Sequence, residues 1–194
     1  MRLILASASP RRRELLKNAG VDFEVRPSAV VESVGAGESP EDFARRAARE
    51  KALDVAAAVP AGALVLGADT VVVMGNEILG KPTGSEDAAR MLQKLSGSTH
   101  RVITGVCLVR APASIEAEEH ETTLVTFRRL DEKEIQDYLA TGEPFDKAGA
   151  YGIQGFASRF VTRIEGCYFN VVGLPVARVV ELLKPFLADC SGAL

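Results

Sequence analysis

At 194 residues, with 47% hydrophobic and 25% charged side chains, the chain has the composition of an ordinary globular domain and is long enough to bury a core without staples. A net charge of −3 excludes general nucleic-acid binding by bulk electrostatics, and no apolar run approaches the roughly 18 residues of a membrane span. Three cysteines without CxxC or Cys/His spacing support neither a disulfide framework nor a zinc site.

Met1 to Ala6 has the apolar start of a signal peptide, but the polar run from Ser7 to Arg13 ends it too early. Leu3 to Ala6 is therefore expected to be the first buried strand of a cytoplasmic protein. Ser9 suits an N-cap and Pro10 the first helical position, so a helix is expected from about Pro10 to Ala19, stopping at Gly20. Arg11, Arg12 and Arg13 fall in its first turn, where cations oppose the helix dipole at the end that attracts anions. A strand, a turn containing Ser7 and Ser9, free helical N–H groups and three guanidinium groups compose a candidate phosphate cradle. A solvated basic patch is the alternative, and Arg13 fits it best.

Val21 to Val31 alternates loosely as a second strand, ending near Glu32. Ser39-Pro40-Glu41-Asp42 opens a helix running to about Ala58. At 100° per residue Ala44, Ala47, Ala48, Ala52, Val55 and Ala58 form one stripe, with Lys51 in its middle. A lysine there either snorkels past the core or points into an anion site. Glu50, at the stripe's edge, reads as half of a surface ion pair.

The chain is organised around Ala63 to Lys81. Two strand-like runs, Ala63-Leu64-Val65-Leu66 and Val71-Val72-Val73, enclose Gly67-Ala68-Asp69-Thr70. A carboxylate between apolar strands is costly without a metal, a cation or several donors, so Asp69 is the first catalytic candidate. The alternative is a cap on a turn between two strands. Lys81, in Gly80-Lys81-Pro82, is a second candidate cation at the end of this region.

Ser85 to Leu95 reads as a helix with Ala88, Met91, Leu92 and Leu95 inward, and His100 as a structural residue before the strand Arg101 to Val109. The acidic run Glu116 to Glu121 suggests a solvent-facing connection to a strand from Thr122 to Leu130. Asp131 caps a short helix with Glu134 three residues on, ended by Gly142. Asp146-Lys147-Ala148-Gly149-Ala150-Tyr151-Gly152-Ile153-Gln154-Gly155 holds three glycines, a cation, an aromatic ring and an amide. That combination suits a polar heterocycle with phosphates nearby, although the order is not that of a P-loop; a mobile surface loop is the plainer reading. Phe160 to Ile164 and Cys167 to Val172 read as a hairpin across Glu165-Gly166, and Pro175 to Leu187 as a closing helix. Without repeats or linkers, an α/β domain on a mixed sheet follows.

Ser7-Ala8-Ser9-Pro10-Arg11-Arg12, Arg49-Glu50-Lys51-Ala52, Gly67-Ala68-Asp69-Thr70-Val71-Val72, Gly80-Lys81-Pro82, the Asp146 to Gly155 decapeptide and Asn170-Val171-Val172-Gly173-Leu174-Pro175 together resemble the Maf-like proteins. These are nucleoside triphosphate pyrophosphatases once described as septum-formation proteins, and the likeness runs in order through essentially the whole chain. It implies one domain over residues 1–194 with a central mixed, twisted sheet flanked by helices, a Maf/ITPase-like fold with a substrate cleft between two lobes. It implies hydrolysis between the α and β phosphates of a pyrimidine or modified nucleoside triphosphate with a divalent cation, Mg²⁺ or Mn²⁺. By motif, Asp69 corresponds to the family's catalytic carboxylate, while Arg11, Thr70 and Gln154 fall at positions separating its substrate subgroups. Their identities resemble the subgroup acting on dTTP and UTP rather than that selective for 7-methyl-GTP. Cys167 departs from a common serine, outside the expected chemistry.

On this reading Arg12, Lys51 and Lys81 hold the phosphate chain, with the Ser7 and Ser9 turn and with Lys147. Asp69 acts as general base, metal ligand or both, and Glu32 is a second metal carboxylate. Thr70 and Gln154 read the pyrimidine edge, which needs both a donor and an acceptor opposite it. A homodimer is implied, with neither nucleic acid nor membrane as partner. The competing reading is a nucleotide-sensing regulator of cell division with vestigial hydrolysis. Asp69 and the set of cations argue against it, since a sensor needs no catalytic carboxylate.

Overall fold

A computed structural model describes residues 2–187. Cys190 lies outside the described residues. The strands are β1 (Leu3–Leu5), β2 (Glu24–Val25), β3 (Leu64–Met74), β4 (Glu77–Leu79), β5 (Thr99–Arg110), β6 (Ser114–Phe127) and β7 (Val161–Glu165). The helices are α1 (Pro10–Asn18), α2 (Pro40–Ala56), α3 (Ser85–Leu95), α4 (Glu132–Leu139), α5 (Tyr168–Val172) and α6 (Val176–Leu187). The sheet runs β2-β1-β3-β5-β6-β7, with β4 paired to β3. It is mixed: β1 is parallel to β2 and β3, whereas β3 with β4 and β6 with β7 are antiparallel.

The chain divides into two compact units, and β3, β5 and β6 contribute to both. Among the described residues, the first comprises 2–69, 104–121 and 173–187. Within it, β1 and the parts of β3 and β5 that it contains are buried on both faces, which is why they read as unbroken apolar runs. Ile4, Ala6, Val65, Cys107 and Val109 line one face and pack with Ala48, Ala52 and Val55 of α2; Leu3, Leu5, Leu64, Leu66, Val106 and Leu108 alternate with them and are equally buried. The alanine stripe of α2 has a specific use. A Cβ on Gly67 would lie 2.1 Å from the carbonyl oxygen of Ala48, and one on Gly105 would lie 2.0 Å from that of Ala44. Helix and strands thus meet backbone to backbone, which only glycine opposite alanine permits. Ala58, expected at the end of the stripe, lies beyond the helix and is exposed.

The second unit comprises Thr70–Ile103 and Thr122–Val172. Here α3 lies against α4 and against the 3-10 turn Ala148–Ala150. His100, Phe127, Tyr151 and Phe160 form a chain of edge-on ring contacts, with His100 Nε2 2.8 Å from the Tyr151 hydroxyl. The structural role expected of His100 is what the structure shows.

Four expectations are corrected. Gly67 to Thr70 is no turn, the alternative considered for Asp69: β3 runs unbroken through Asp69, because its place between β1 and β5 in the sheet outweighs the low strand preference of Gly67, Ala68 and Asp69. The second strand shrinks to Glu24–Val25, both exposed. The acidic run Glu116 to Glu121 is strand, not connection, since its carboxylates find arginines across the surface. Arg110 pairs with Glu116, Arg49 with Glu118, and Arg178 with Glu119 and Glu121. Cys167 to Val172 does not complete a hairpin but turns into α5, whose Asn170 Nδ2 donates to Val102 O and Thr123 Oγ1 at 2.9 and 3.0 Å.

Candidate active site

Asp69 and Gly67 are two residues apart on β3 and share a face of the sheet. On α2, Lys51 lies between Ala48 and Ala52, whose backbone rests on Gly67. The close approach at the glycine therefore delivers the lysine to the carboxylate. Lys51 Nζ donates to Asp69 Oδ1 at 2.7 Å and also pairs with Glu32. Both Lys51 and Asp69 are largely withdrawn from solvent, their side chains 14% and 13% exposed, whereas Glu32 is 33% exposed. Two carboxylates thus share one ammonium, an arrangement that repays the cost of taking Asp69 out of water.

At the end of β1, the Ser9 N–H donates to Ser7 Oγ at 3.2 Å, and Ser9 in turn caps α1 by accepting from the Arg12 N–H at 3.4 Å. Basic residues in the first turn diverge in fate. Arg13 is exposed, Arg11 half-buried and Arg12 buried. Arg12 Nε donates to Gly173 O at 2.8 Å, while its Nη1 donates to Ala68 O at 2.8 Å and Ser7 Oγ at 3.2 Å. Its guanidinium thereby ties the start of α1 to β3 beside Asp69 and to the residue preceding the α6 approach. Burial lowers its pKa from the ordinary arginine value and Arg11 adds to that, while the negative charges of Asp69 and Glu32 oppose it. Ser7, Ser9, Arg12, Glu32, Lys51 and Asp69 are all in the first unit.

Thr70, Lys81, Lys147 and Gln154 are in the second. Lys81 is exposed just beyond β4, where Gly80 O accepts from the Gly149 N–H at 3.0 Å and fixes the glycine-rich segment to the strand end. Gly149 needs its residue type twice over. Its φ is +67°, and a Cβ there would lie 2.8 Å from Val72 Cγ1. Lys147 Nζ donates to Glu143 O and pairs with Asp146, both at 2.6 Å. Gln154 is exposed between Gly152 and Gly155. The segment is thus built of 3-10 turns with defined partners rather than being an open loop. Sequence reasoning passed over Glu143 and Tyr138, which supply much of that definition.

Among the described residues no group of three or more His, Cys, Asp and Glu side chains is placed to cage a cation. Asp69 and Glu32, converging on a single ammonium, do fit an ion that takes one or two carboxylates and completes its shell with water and substrate oxygens, as Mg²⁺ does.

The chain matches the family described as Maf-like protein over residues 2–186. It is 56% identical over 184 residues to a protein named dTTP/UTP pyrophosphatase from Koribacter versatilis, covering 95% of this chain and 94% of that one. It is 53% identical over 191 residues to a protein of the same name from Moorella thermoacetica, covering 98% of each. Among solved structures it resembles a HAM1 protein from Coxiella burnetii with a TM-score of 0.52 at 12% identity, over 95% of this chain and 99% of that one, a likeness of fold. With the motifs, the seven-stranded mixed sheet and a family match spanning nearly all of its length, this chain belongs to the Maf-like protein family.

Proposed function

We propose that this protein is a nucleoside triphosphate pyrophosphatase that hydrolyses dTTP and UTP, and modified pyrimidine triphosphates, to the monophosphate and pyrophosphate. The observation that carries the reading is Asp69 held at 2.7 Å by Lys51 beside a serine-capped helix N-terminus. Relatives at 53% to 56% identity named dTTP/UTP pyrophosphatase support the substrate class.

Water attacks the α phosphorus in line with the bond to the bridging oxygen, that bond breaks, and pyrophosphate leaves. Asp69 takes the proton of the attacking water. Because the leaving group gains negative charge, catalysis rests on positioning and charge neutralisation. Lys51 hands its charge from the two carboxylates to the substrate's phosphates, and N–H groups of the Ser7 to Arg11 turn other than that of Ser9, which donates to Ser7 Oγ, bind phosphate oxygens. Arg12, held by backbone oxygens, shapes that turn and adds positive potential; Lys81 and Lys147 are assigned to phosphates as well. Arg11, Thr70 and Gln154 set the substrate preference, Thr70 and Gln154 by reading the pyrimidine edge. Asp69 and Glu32 would hold a divalent cation, which would supply further neutralisation of phosphate charge. A homodimer acting in the cytoplasm to cleanse the nucleotide pool, with a link to division arrest, completes the proposal. No described helix is long and apolar enough to cross a membrane.

The test is product analysis by anion exchange after incubation with each common nucleoside triphosphate and Mg²⁺. Monophosphate plus pyrophosphate, fastest from dTTP and UTP, is expected. Diphosphate plus orthophosphate, or no turnover, overturns the proposal. In Asp69→Asn, turnover is expected to fall by about 10²-fold or more while nucleotide binding by calorimetry persists.

A further inference from the structure

We infer that Glu143 is a positioning residue that sets the orientation of Gln154, and through it the choice of base. The inference rests on the proposed role of Gln154 at the pyrimidine edge.

Gln154 is exposed, so the backbone on either side fixes where its side chain emerges and hence the region its amide reaches. Two hydrogen bonds fix that backbone, one two residues before it and one two residues after. The Gly152 N–H donates to the Tyr138 hydroxyl at 3.3 Å, the hydroxyl donates to Glu143 Oε1 at 3.1 Å, and the Phe156 N–H donates to Glu143 Oε2 at 3.0 Å. One carboxylate thus terminates both restraints. Burial raises the pKa of Tyr138 and the charge of Glu143 adds to it, so the phenol stays protonated and remains the donor. The stacked rings of Tyr138 and Phe156, 5.6 Å apart and 13° from parallel, brace the same two ends.

The glycines flanking Gln154 show how closely the segment is wrapped on this anchor. A Cβ on Gly155 would lie 2.2 Å from Glu143 Oε1, and one on Gly152 would lie 2.7 Å from Lys147 Cε. Gly155, with φ −100°, is outside the left-handed region, and what a side chain there would meet is the Glu143 carboxylate.

The experiment is a double-mutant cycle on selectivity. The ratio of kcat/KM for dTTP to that for CTP is measured in wild type, Gln154→Ala, Glu143→Ala and the double variant, with melting temperatures alongside. Glu143→Ala is expected to lower the ratio by about tenfold, as Gln154→Ala does, and the double variant by no more than either. Glu143→Gln keeps the shape and one acceptor, so it folds if Glu143→Ala does not; an intermediate ratio is expected from it. Gly155→Ala, which displaces the carboxylate, is expected to reproduce the loss. If Gln154→Ala loses selectivity while the Glu143 variants keep it, or if the losses multiply, this inference fails and the role of Gln154 stands. If Gln154→Ala keeps full selectivity, the role of Gln154 fails and this inference with it.

Discussion

Lys51 reaches Asp69 because the helix carrying it touches the strand at Gly67, two residues before the carboxylate on the same face. A Cβ at Gly67 would intrude between Ala48 O and Ala52 N, 2.1 and 2.9 Å away, which are partners in the helical ladder. Gly67→Ala is therefore expected to push α2 outward, costing about 2 kcal/mol by denaturant unfolding, and to lower turnover by separating Lys51 from Asp69. Gly105→Ala is the control. It presses on Ala44, seven residues and roughly 10 Å along the helix from Lys51, so a similar loss of stability with a smaller loss of turnover is expected.

A second expectation concerns the shared ammonium. Lys51→Met removes the cation that both Asp69 and Glu32 engage and leaves two carboxylates facing one place. Two anions relieved of a shared ammonium bind a divalent cation better than two that it partly neutralises. Titration with Mn²⁺ in the absence of nucleotide, followed by electron paramagnetic resonance, is expected to show affinity raised by about tenfold, while turnover falls because the phosphates lose a cation. Unchanged or weaker Mn²⁺ binding would remove Asp69 and Glu32 as the ion's ligands.

The arginine run at the start of α1 offers a contrast between neighbours. Arg12 spans Gly173 O, Ala68 O and Ser7 Oγ through two different nitrogens, a reach that the single ammonium of lysine lacks. Arg12→Lys is expected to lower stability by about 2 kcal/mol, whereas Arg13→Ala, at an exposed position, stays within about 0.5 kcal/mol in chemical denaturation. Equal effects at the two positions would refute the assignment of Arg12 as a clip.

These cases mark how far the residues alone could be read. The helix Ser85 to Leu95, the Asp131 and Glu134 capping box and the alanine stripe of α2 were legible because caps and a 3.6-residue period are local signals. That Asp69 needs a cation was legible from the cost of burying a carboxylate; which cation it meets was not, because the meeting depends on Gly67 and α2 closing over a separation of 18 residues. Glu116 to Glu121 looked like a loop since its acidic side chains conceal a strand whose arginine partners lie elsewhere in the chain. Cys167 to Val172 looked like a strand from its valines and aromatics, but Asn170 finds Val102 and Thr123, and those tertiary hydrogen bonds outweigh local preference. Glu143 carried no local signal, because its carboxylate accepts from the Tyr138 hydroxyl, five residues back, and from the Phe156 N–H, 13 residues on.

His100 yields the last expectation, in the pH dependence of stability. Its ring is buried against Phe127 and Tyr151, its Nε2 meets the Tyr151 hydroxyl at 2.8 Å, and its Nδ1 is buried without a partner among the described residues. Burial alone pushes its pKa down from 6.5 to about 4. The unfolded chain therefore binds this proton more tightly than the folded one. The contribution is complete above about pH 6.5, falls as pH drops, and is fully lost below about pH 4, a span on the order of 3 kcal/mol. His100→Gln keeps an amide near the Tyr151 hydroxyl but does not titrate. Unfolding free energies measured at intervals from pH 7 to pH 4 should fall less steeply in that variant than in wild type. Carboxylates titrate in the lower part of this window in both proteins and cancel in the difference. Parallel curves would show that His100 takes up its proton within the folded state, and that Tyr151 and Phe127 do not enclose it as the structure describes.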